Sequence, residues 1–129
     1  YRSSSLPAGA VVESVTLSLR RGASKEIEAL MKKMVEKRKN TQPVGQASSG
    51  SIFRNPESLG AGRLIEEAGC KGMRRGGAVI SEKHANFIVN TGGATAADVI
   101  GLINEVVSAV KNSAGIALIP EVRIIGRES

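Results

Sequence analysis

The sequence predicts an α+β domain, with two longer helices and one short helix packed on a small sheet. Segments with apolar residues at helical spacing alternate along the chain with short runs that favour strands. Glycine and proline mark the breaks between these segments. Hydrophobic residues make up 41% of the 129 residues, but there is no Trp and there are only two Phe, so the core must be aliphatic.

The first half of the chain is predicted to contain a strand, a helix and a long loop. Residues 11–19 alternate apolar and polar side chains, which is the period of a half-buried strand. Apolar residues at helical spacing then predict a helix over roughly 25–39, with Ser24 as its N-cap. Residues 40–60 are rich in Gly, Ser, Asn and Pro and predict a loop, and loops of such length are often functional.

The second half is predicted to contain a short helix, three strands and a long helix. The short helix lies near 61–68, and Gly69 ends it. Two short apolar runs, at 78–80 and 86–90, predict strands. A final strand, interrupted by a proline, is expected over 116–125.

The long helix has the clearest local pattern. Thr95 and Asp98 have the spacing of an N-cap and its acidic partner three residues later, as in a capping box. The helix is expected to run to about Lys111. Its apolar residues recur at three- and four-residue steps: Val99, Leu102, Ile103, Val106, Val107 and Val110.

The charge of the chain favours an anionic partner. The formal net charge is +6, from 18 Lys and Arg against 12 Asp and Glu. A nucleic acid and a phosphorylated small molecule both fit that charge, although 2% aromatic residues leave few rings on which bases could stack. The sequence has no apolar run long enough to span a bilayer and no signal-peptide pattern, so a cytoplasmic protein with no membrane partner is expected.

Cysteine and histidine are too few for several kinds of site. Cys70 is the one cysteine, so an internal disulfide framework and a multi-cysteine zinc site are excluded. His84 is the one histidine, and no cluster of further ligands accompanies it in the sequence, so no metal site is predicted. A lone histidine is more often a surface or binding residue than a catalytic base.

Residues 48–56, with the sequence Ser-Ser-Gly-Ser-Ile-Phe-Arg-Asn-Pro, form the most informative segment. Small residues let the backbone approach a ligand closely, but a solvated Ser/Gly loop explains the same composition. The segment matches neither a Walker A loop nor a nucleophile elbow. Glu121 lies in an otherwise apolar run, where it either faces solvent or is held in a site, and Arg2 indicates nothing by itself.

Together, the motifs of this chain resemble the C-terminal part of the UDP-N-acetylenolpyruvoylglucosamine reductase (MurB) family. They occur in the family's order and cover almost the whole chain: Tyr1-Arg2-Ser3-Ser4, Arg38, Gln42-Pro43, residues 50–56, 61–66, 69–72, 76–78, 84–90 and 120–126. Arg54 stands where the family usually has Lys. The short connection after Leu19 is similar to the subgroup that lacks an extra tyrosine-bearing loop over the substrate.

The resemblance implies an oxidoreductase of peptidoglycan precursor and cell-wall synthesis. Such an enzyme reduces UDP-N-acetylglucosamine enolpyruvate to UDP-N-acetylmuramate, with FAD as its flavin and NADPH as its hydride source. The resemblance implies that Ser51 donates a proton to the substrate, while Arg2 and Glu121 stabilise the negative charge that develops on it. It implies substrate contacts at Asn55 and His84.

The resemblance also implies a division of the chain. Residues 1–20 would close the flavin-domain region, and residues 21–129 would form the C-terminal substrate-binding domain. The FAD site would lie mostly in an upstream domain of the same enzyme. The start at Tyr1 rather than Met suggests truncation, and without the FAD-binding domain the chain alone is expected to be inactive. A basic nucleic-acid-binding module and a non-catalytic UDP-sugar-binding module are the alternatives.

Overall fold

The structure, a computed structural model, describes residues 4–56 and 59–126. The described residues form three helices and a four-stranded antiparallel sheet, which confirms the α+β prediction. Along the chain the elements are α1 (Ser24–Thr41), β1 (Ala47–Ser51), α2 (Ala61–Glu67), β2 (Arg74–Arg75), β3 (Ala78–Ile80), β4 (Phe87–Asn90) and α3 (Ala96–Ala114).

The sheet has the strand order β1-β4-β3-β2, and every neighbouring pair is antiparallel. Val89 at the centre of β4 pairs with Ser48 on one side and with Val79 on the other. The register of β1 against β4 shifts between Ser48 and Ser51, and Gly50 within this irregular stretch has a φ of 84°. That left-handed conformation favours glycine, because a Cβ atom would be strained there.

One face of the sheet packs against α2 and α3 and forms the core. Successive strand residues point to opposite faces, so Ala78, Ile80 and Ile88 enter this core together with the apolar stripe of α3. The buried stripe of α3 comprises Leu102, Ile103, Val106 and Val110. The core is therefore aliphatic, as the composition predicted, with Phe53 as its aromatic member.

The long helix begins as its sequence predicted. Thr95 is the N-cap, its hydroxyl oxygen accepts a hydrogen bond from the Asp98 backbone N–H at 3.1 Å, and the Asp98 carboxylate accepts one from the Thr95 N–H at 2.9 Å. The helix continues three residues beyond Lys111 to Ala114 and ends at Gly115, whose φ is 70°. The predictions for α2, β3 and β4 are also confirmed, and Gly69 follows α2 with a φ of 72°.

The predicted strand over 11–19 is wrong, because those residues form no strand and are exposed. A strand needs a neighbour to pair with its backbone, and none of the described segments pairs with this one. The helix over 25–39 is present as α1, but none of its residues is buried. Its N-cap is Ala23, whereas Ser24 lies inside the helix and its hydroxyl donates to the Glu28 carboxylate.

Two further predictions need correction. The expected loop over 40–60 contains strand β1, which forms because β4 pairs with it and despite a sequence of small residues. The final strand over 116–125 is reduced to one isolated antiparallel bridge, between Phe53 and Pro120. The pair Arg74-Arg75 forms the short edge strand β2. None of the helices in the part of the chain that the structure describes is long and apolar enough to cross a membrane.

Candidate functional site

The candidate site is built around residues 51–55, which follow the irregular end of β1. Ser51 is exposed, whereas the next two side chains, Ile52 and Phe53, are each 1% exposed and belong to the core. Arg54 and Asn55 are exposed again. Two buried apolar anchors therefore hold a short segment whose polar ends remain accessible to a ligand.

Hydrogen bonds from Asn86 fix this segment on one side. The Asn86 carbonyl oxygen accepts from the Ile52 N–H at 3.0 Å. Its side-chain amide accepts from the Phe53 N–H at 2.9 Å and donates to the Phe53 carbonyl oxygen at 2.8 Å. Asn86 is 3% exposed, so these bonds lie in a protected environment where water does not replace them.

The segment that contains Glu121 fixes residues 52–54 on the other side. The Glu121 N–H donates to the Ile52 carbonyl oxygen at 2.7 Å, and the Arg54 N–H donates to the Ile119 carbonyl oxygen at 2.9 Å. These two bonds flank the bridge between Phe53 and Pro120. Proline fits this position because the opposing residues of a non-hydrogen-bonded antiparallel pair need no N–H.

The structure thus brings the Ser51 and Glu121 segments together. Glu121 lies opposite Ile52, the residue that directly follows Ser51, although the two segments are far apart in the sequence. Cα atoms of opposite residues in an antiparallel pair are about 5 Å apart. Arg2, the third catalytic residue implied by the resemblance, lies outside the described residues.

Asn55 and His84, the two implied substrate contacts, line one cleft of about 340 Å³. Arg63, Lys83 and Glu66 also line it, and the Arg63 guanidinium pairs with the Glu67 carboxylate at 2.7 Å. The Asn55 carboxamide oxygen accepts a hydrogen bond from the Ala61 N–H at 3.0 Å, which satisfies a free backbone donor at the start of α2. Its amide nitrogen is the group of Asn55 that can bind a ligand's acceptor atom.

The His84 ring is held in a defined orientation. Its Nδ1 accepts a hydrogen bond from the Asn86 N–H at 3.2 Å, so the neutral ring carries its proton on Nε2. The ring makes an edge contact with Phe87, with centroids 4.9 Å apart. On another side lies Gly62, where an added Cβ would come within 3.1 Å of the His84 ring. The accessible nitrogen of His84 is therefore a hydrogen-bond donor.

Several charged side chains near the cleft already have partners. The Lys71 ammonium lies 2.7 Å from the Glu66 carboxylate, and the Lys83 ammonium donates to the Lys39 carbonyl oxygen at 2.9 Å.

Cys70 is buried in the core, and burial raises the pKa of its thiol. The described residues contain no group of three or more His, Cys, Asp or Glu side chains that could hold a metal ion.

Sequence reasoning missed Asn86 as an organising residue of this site. The sequence did contain a signal, because Asn86 is the one polar residue in the run Ala85-Asn86-Phe87-Ile88-Val89. A polar side chain in a buried run must find hydrogen-bond partners. The pattern could not show which partners, since Phe53 is distant in the sequence.

Comparisons with known proteins give consistent findings. The family model described as UDP-N-acetylenolpyruvoylglucosamine reductase, C-terminal domain, matches residues 42–125. Reductases of that name from Alkalilimnicola ehrlichii and Anaeromyxobacter dehalogenans are 49% and 52% identical over 126 residues. These alignments cover 98% of this chain but only 42% and 38% of the two relatives.

A solved structure is also similar. The crystal structure of UDP-N-acetylenolpyruvylglucosamine reductase from Thermus caldophilus superposes with a TM-score of 0.81 at 41% sequence identity. The match covers 95% of this chain and 43% of that one. The chain therefore spans about two-fifths of the length of the curated relatives it matches.

Proposed function

The chain belongs to the UDP-N-acetylenolpyruvoylglucosamine reductase family, and from that premise we propose that it is the substrate-binding and proton-donating part of such an enzyme. In the proposed reaction, the enolpyruvyl group of UDP-N-acetylglucosamine enolpyruvate is reduced to a lactyl group. The antiparallel bridge between residues 52–54 and 119–121 is the observation that supports the proposal, because it pairs the segment that follows Ser51 with the segment that contains Glu121.

The chemistry explains why these side chains suit the reaction. With FAD and NADPH bound, the complete enzyme would supply a hydride to the outer carbon of the enol ether, and negative charge would develop on C2 and its carboxylate. The roles of stabilising that charge fall to Arg2 and Glu121, because polar and cationic groups aimed at developing charge lower the barrier. Ser51 then donates a proton to C2. A hydroxyl is a weak acid, but a carbanion-like carbon is a strong enough base to take its proton.

The cleft of Asn55 and His84 suits the remainder of the substrate. The His84 Nε2–H and the Asn55 amide nitrogen are hydrogen-bond donors, and Lys83 and Arg63 bring two cations to the cleft against the carboxylates of Glu66 and of Glu67, the partner of Arg63. A nucleotide diphosphate offers the acceptor atoms and the negative charge that such a cleft would bind. We therefore propose that the UDP part of the substrate occupies this cleft.

The described residues do not fit FAD by themselves. Four clefts among them measure about 220–340 Å³, at or below the lower end of the range for drug-sized ligands, and a flavin dinucleotide is larger than that. We propose that FAD is held mainly by the part of the enzyme that the relatives have beyond this chain. The hydride step consequently belongs to that part, and this chain binds the substrate and protonates it.

The reaction takes place in the cytoplasm, where NADPH is available.

The exposed apolar residues before the core support this proposed partnership. Val11, Val15, Leu17 and Leu19 are 71–89% exposed, and the apolar stripe of α1 is also uncovered. The family model begins at residue 42, whereas the relatives align with 98% of the chain and so include this region. Contiguous exposed apolar surface is typical of an interface. We propose that residues 11–19 and α1 pack against the flavin-binding part.

The test uses this chain fused to the flavin-binding part of a relative, called here the reconstituted enzyme. Ser51→Ala is expected to leave the reduction of the flavin by NADPH unchanged and to slow its reoxidation by substrate at least 100-fold. Stopped-flow absorbance of the flavin measures the two half-reactions separately. Ser49→Ala, an exposed serine in the same strand, is the matched control. Reoxidation of the Ser51→Ala enzyme at the normal rate would refute the proton-donor role.

A further inference from the structure

We propose that Asn86 is a positioning residue that holds two parts of the site at once: the backbone next to Ser51 and the imidazole of His84. The inference rests on the proposed function, since it assigns to Asn86 the geometry which that function needs. Asn86 does not reach the substrate in this role. It acts through the groups that it holds.

The first part of the argument concerns the backbone after β1. The register shift between Ser48 and Ser51 breaks the regular hydrogen-bond ladder with β4 just before the site. Beyond that break, the backbone of Asn86 pairs only with the Ile52 N–H, and its side-chain amide takes over the pairing with Phe53. The carboxamide thus replaces a peptide group, because it presents one donor and one acceptor with the spacing of a strand neighbour.

With this replacement, every backbone N–H and carbonyl group from the Ile52 N–H to the Arg54 N–H has a hydrogen-bond partner. Asn86 satisfies the Ile52 N–H and both Phe53 groups, while residues 119–121 satisfy the Ile52 carbonyl and the Arg54 N–H. Ser51 therefore lies between an irregular stretch with a left-handed glycine and a segment fixed on both sides. A weakly acidic hydroxyl needs such fixation, because a displacement of about 1 Å can reduce a reaction rate about 100-fold.

The second part concerns His84. The Asn86 N–H donates to Nδ1 of His84, and this bond sets both the tautomer and the orientation of the ring. The same residue therefore links the proposed substrate contact at His84 with the proposed proton donor at Ser51. The bonds from Asn86 to His84 and to Phe53 differ in kind, however. The bond to His84 comes from the backbone and survives substitution of Asn86, whereas the bonds to Phe53 come from the side chain and do not.

That difference gives a sharp prediction for the reconstituted enzyme. Asn86→Asp keeps the acceptor for the Phe53 N–H but loses the donor to the Phe53 carbonyl oxygen. Reoxidation of the flavin by substrate is expected to slow about 10- to 100-fold, with the dissociation constant of the substrate changed less than threefold. Flavin reduction by NADPH is expected to stay unchanged. Asn90→Asp is the matched control, because Asn90 lies in the same strand and its side chain accepts hydrogen bonds only from a surface turn.

A double-mutant cycle with Ser51→Ala separates positioning from a general structural role. If Asn86 acts through Ser51, Asn86→Asp has little further effect on reoxidation once Ser51 is Ala. Equal fractional losses in both backgrounds would overturn the proposal, as would a loss confined to substrate affinity. A normal rate for Ser51→Ala alone would instead refute the proposed function. If Asn86→Asp does not fold, Asn86→Gln, which keeps both amide groups but displaces them, replaces it in the same cycle.

Discussion

Gly77→Ala is expected to destabilise the domain, because backbone atoms occupy the space that a side chain would need. A Cβ atom at Gly77 would lie 2.5 Å from the Ala94 nitrogen, 2.5 Å from the Gly92 carbonyl oxygen and 2.9 Å from the Ala94 Cα. The turn at residues 91–94 is also hydrogen-bonded to Gly77. The Gly77 carbonyl oxygen accepts from the N–H and the hydroxyl of Thr91 at 2.9 and 3.0 Å. The contacting atoms of Gly92 and Ala94 belong to the backbone, so they cannot move away as the end of a flexible side chain would.

The size of the effect follows from the displacement required. Non-bonded heavy atoms prefer a separation of about 3.5 Å, so the turn must move by roughly 1 Å. Such overpacking costs about 1–3 kcal/mol. For a domain of this size, each kcal/mol lowers Tm by about 4–8 °C, so a decrease of roughly 4–24 °C is expected. The turn leads into the N-cap at Thr95, so part of the cost falls on the start of α3.

Thermal unfolding, followed by circular dichroism at 222 nm as a measure of helix content, tests this effect. Gly60→Ala is the control, because its φ is −71° and nothing lies within 4 Å of its added Cβ. The Tm of Gly60→Ala is expected to change by only a few degrees. If Gly77→Ala also melted within about 2 °C of the parent, the turn would be free to move and the reasoning from backbone contact would be wrong.

Three further outcomes are expected. Leu102→Ala, at a fully buried site in α3, should cost about 2–5 kcal/mol in a denaturant titration, clearly more than Val107→Ala at a partly buried site of the same helix. The Thr95 N–H lowers the pKa of Asp98 below its ordinary 3.8, so the stabilisation by Asp98 is complete above pH 3.8 and is lost as the pH falls through the folded-state pKa. Asp98→Asn should therefore lower Tm at pH 7. Between pH 5 and pH 2, the Tm of this variant should fall less than the Tm of the parent chain. A shortened chain of residues 42–126 should keep a cooperative transition by calorimetry, and loss of that transition would show that the preceding residues are needed for folding.

The parts of the fold that were predicted from sequence have strong local signals. Thr95 and Asp98 alone specify where α3 begins, and its repeated apolar residues specify which face is buried. The short strands β3 and β4 are continuous apolar runs bounded by glycine and polar residues. In each of these cases the information lies within the element itself.

The parts that were wrong depend on partners elsewhere. Residues 11–19 have the alternation of a strand, but alternation reports an apolar face and not the presence of a neighbour. Conversely, β1 has the sequence Ala-Ser-Ser-Gly-Ser, which has little intrinsic preference for a strand, and pairing with β4 makes it one. The segment 116–125 is limited to one bridge, since residues 52–54 offer it only a short edge.

For the candidate site, the sequence supplied residues but not their arrangement. Ser51, Glu121, Asn55 and His84 were taken from resemblance to a family, and their roles stay proposals. Pattern alone gave no reason to connect them. Asn86 joins two of their segments by hydrogen bonds, to Phe53 and to His84, and has no catalytic chemistry of its own.

The core of the described residues and the uncovered apolar region before it are separate parts of the chain, and the candidate site lies with the core. Every buried core residue lies between Ile52 and Leu118, and α1 contributes none. The hydrogen bonds that hold residues 52–54 come from Asn86 and from 119–121, which also lie within or beside this core. The printed hydrogen bonds of residues 52–54 therefore come from outside residues 4–41, whereas Lys83 in the cleft donates to the Lys39 carbonyl oxygen of α1. The exposed apolar side chains of that region are then available for an interface, and covering them would add the flavin-binding part without rebuilding the substrate site.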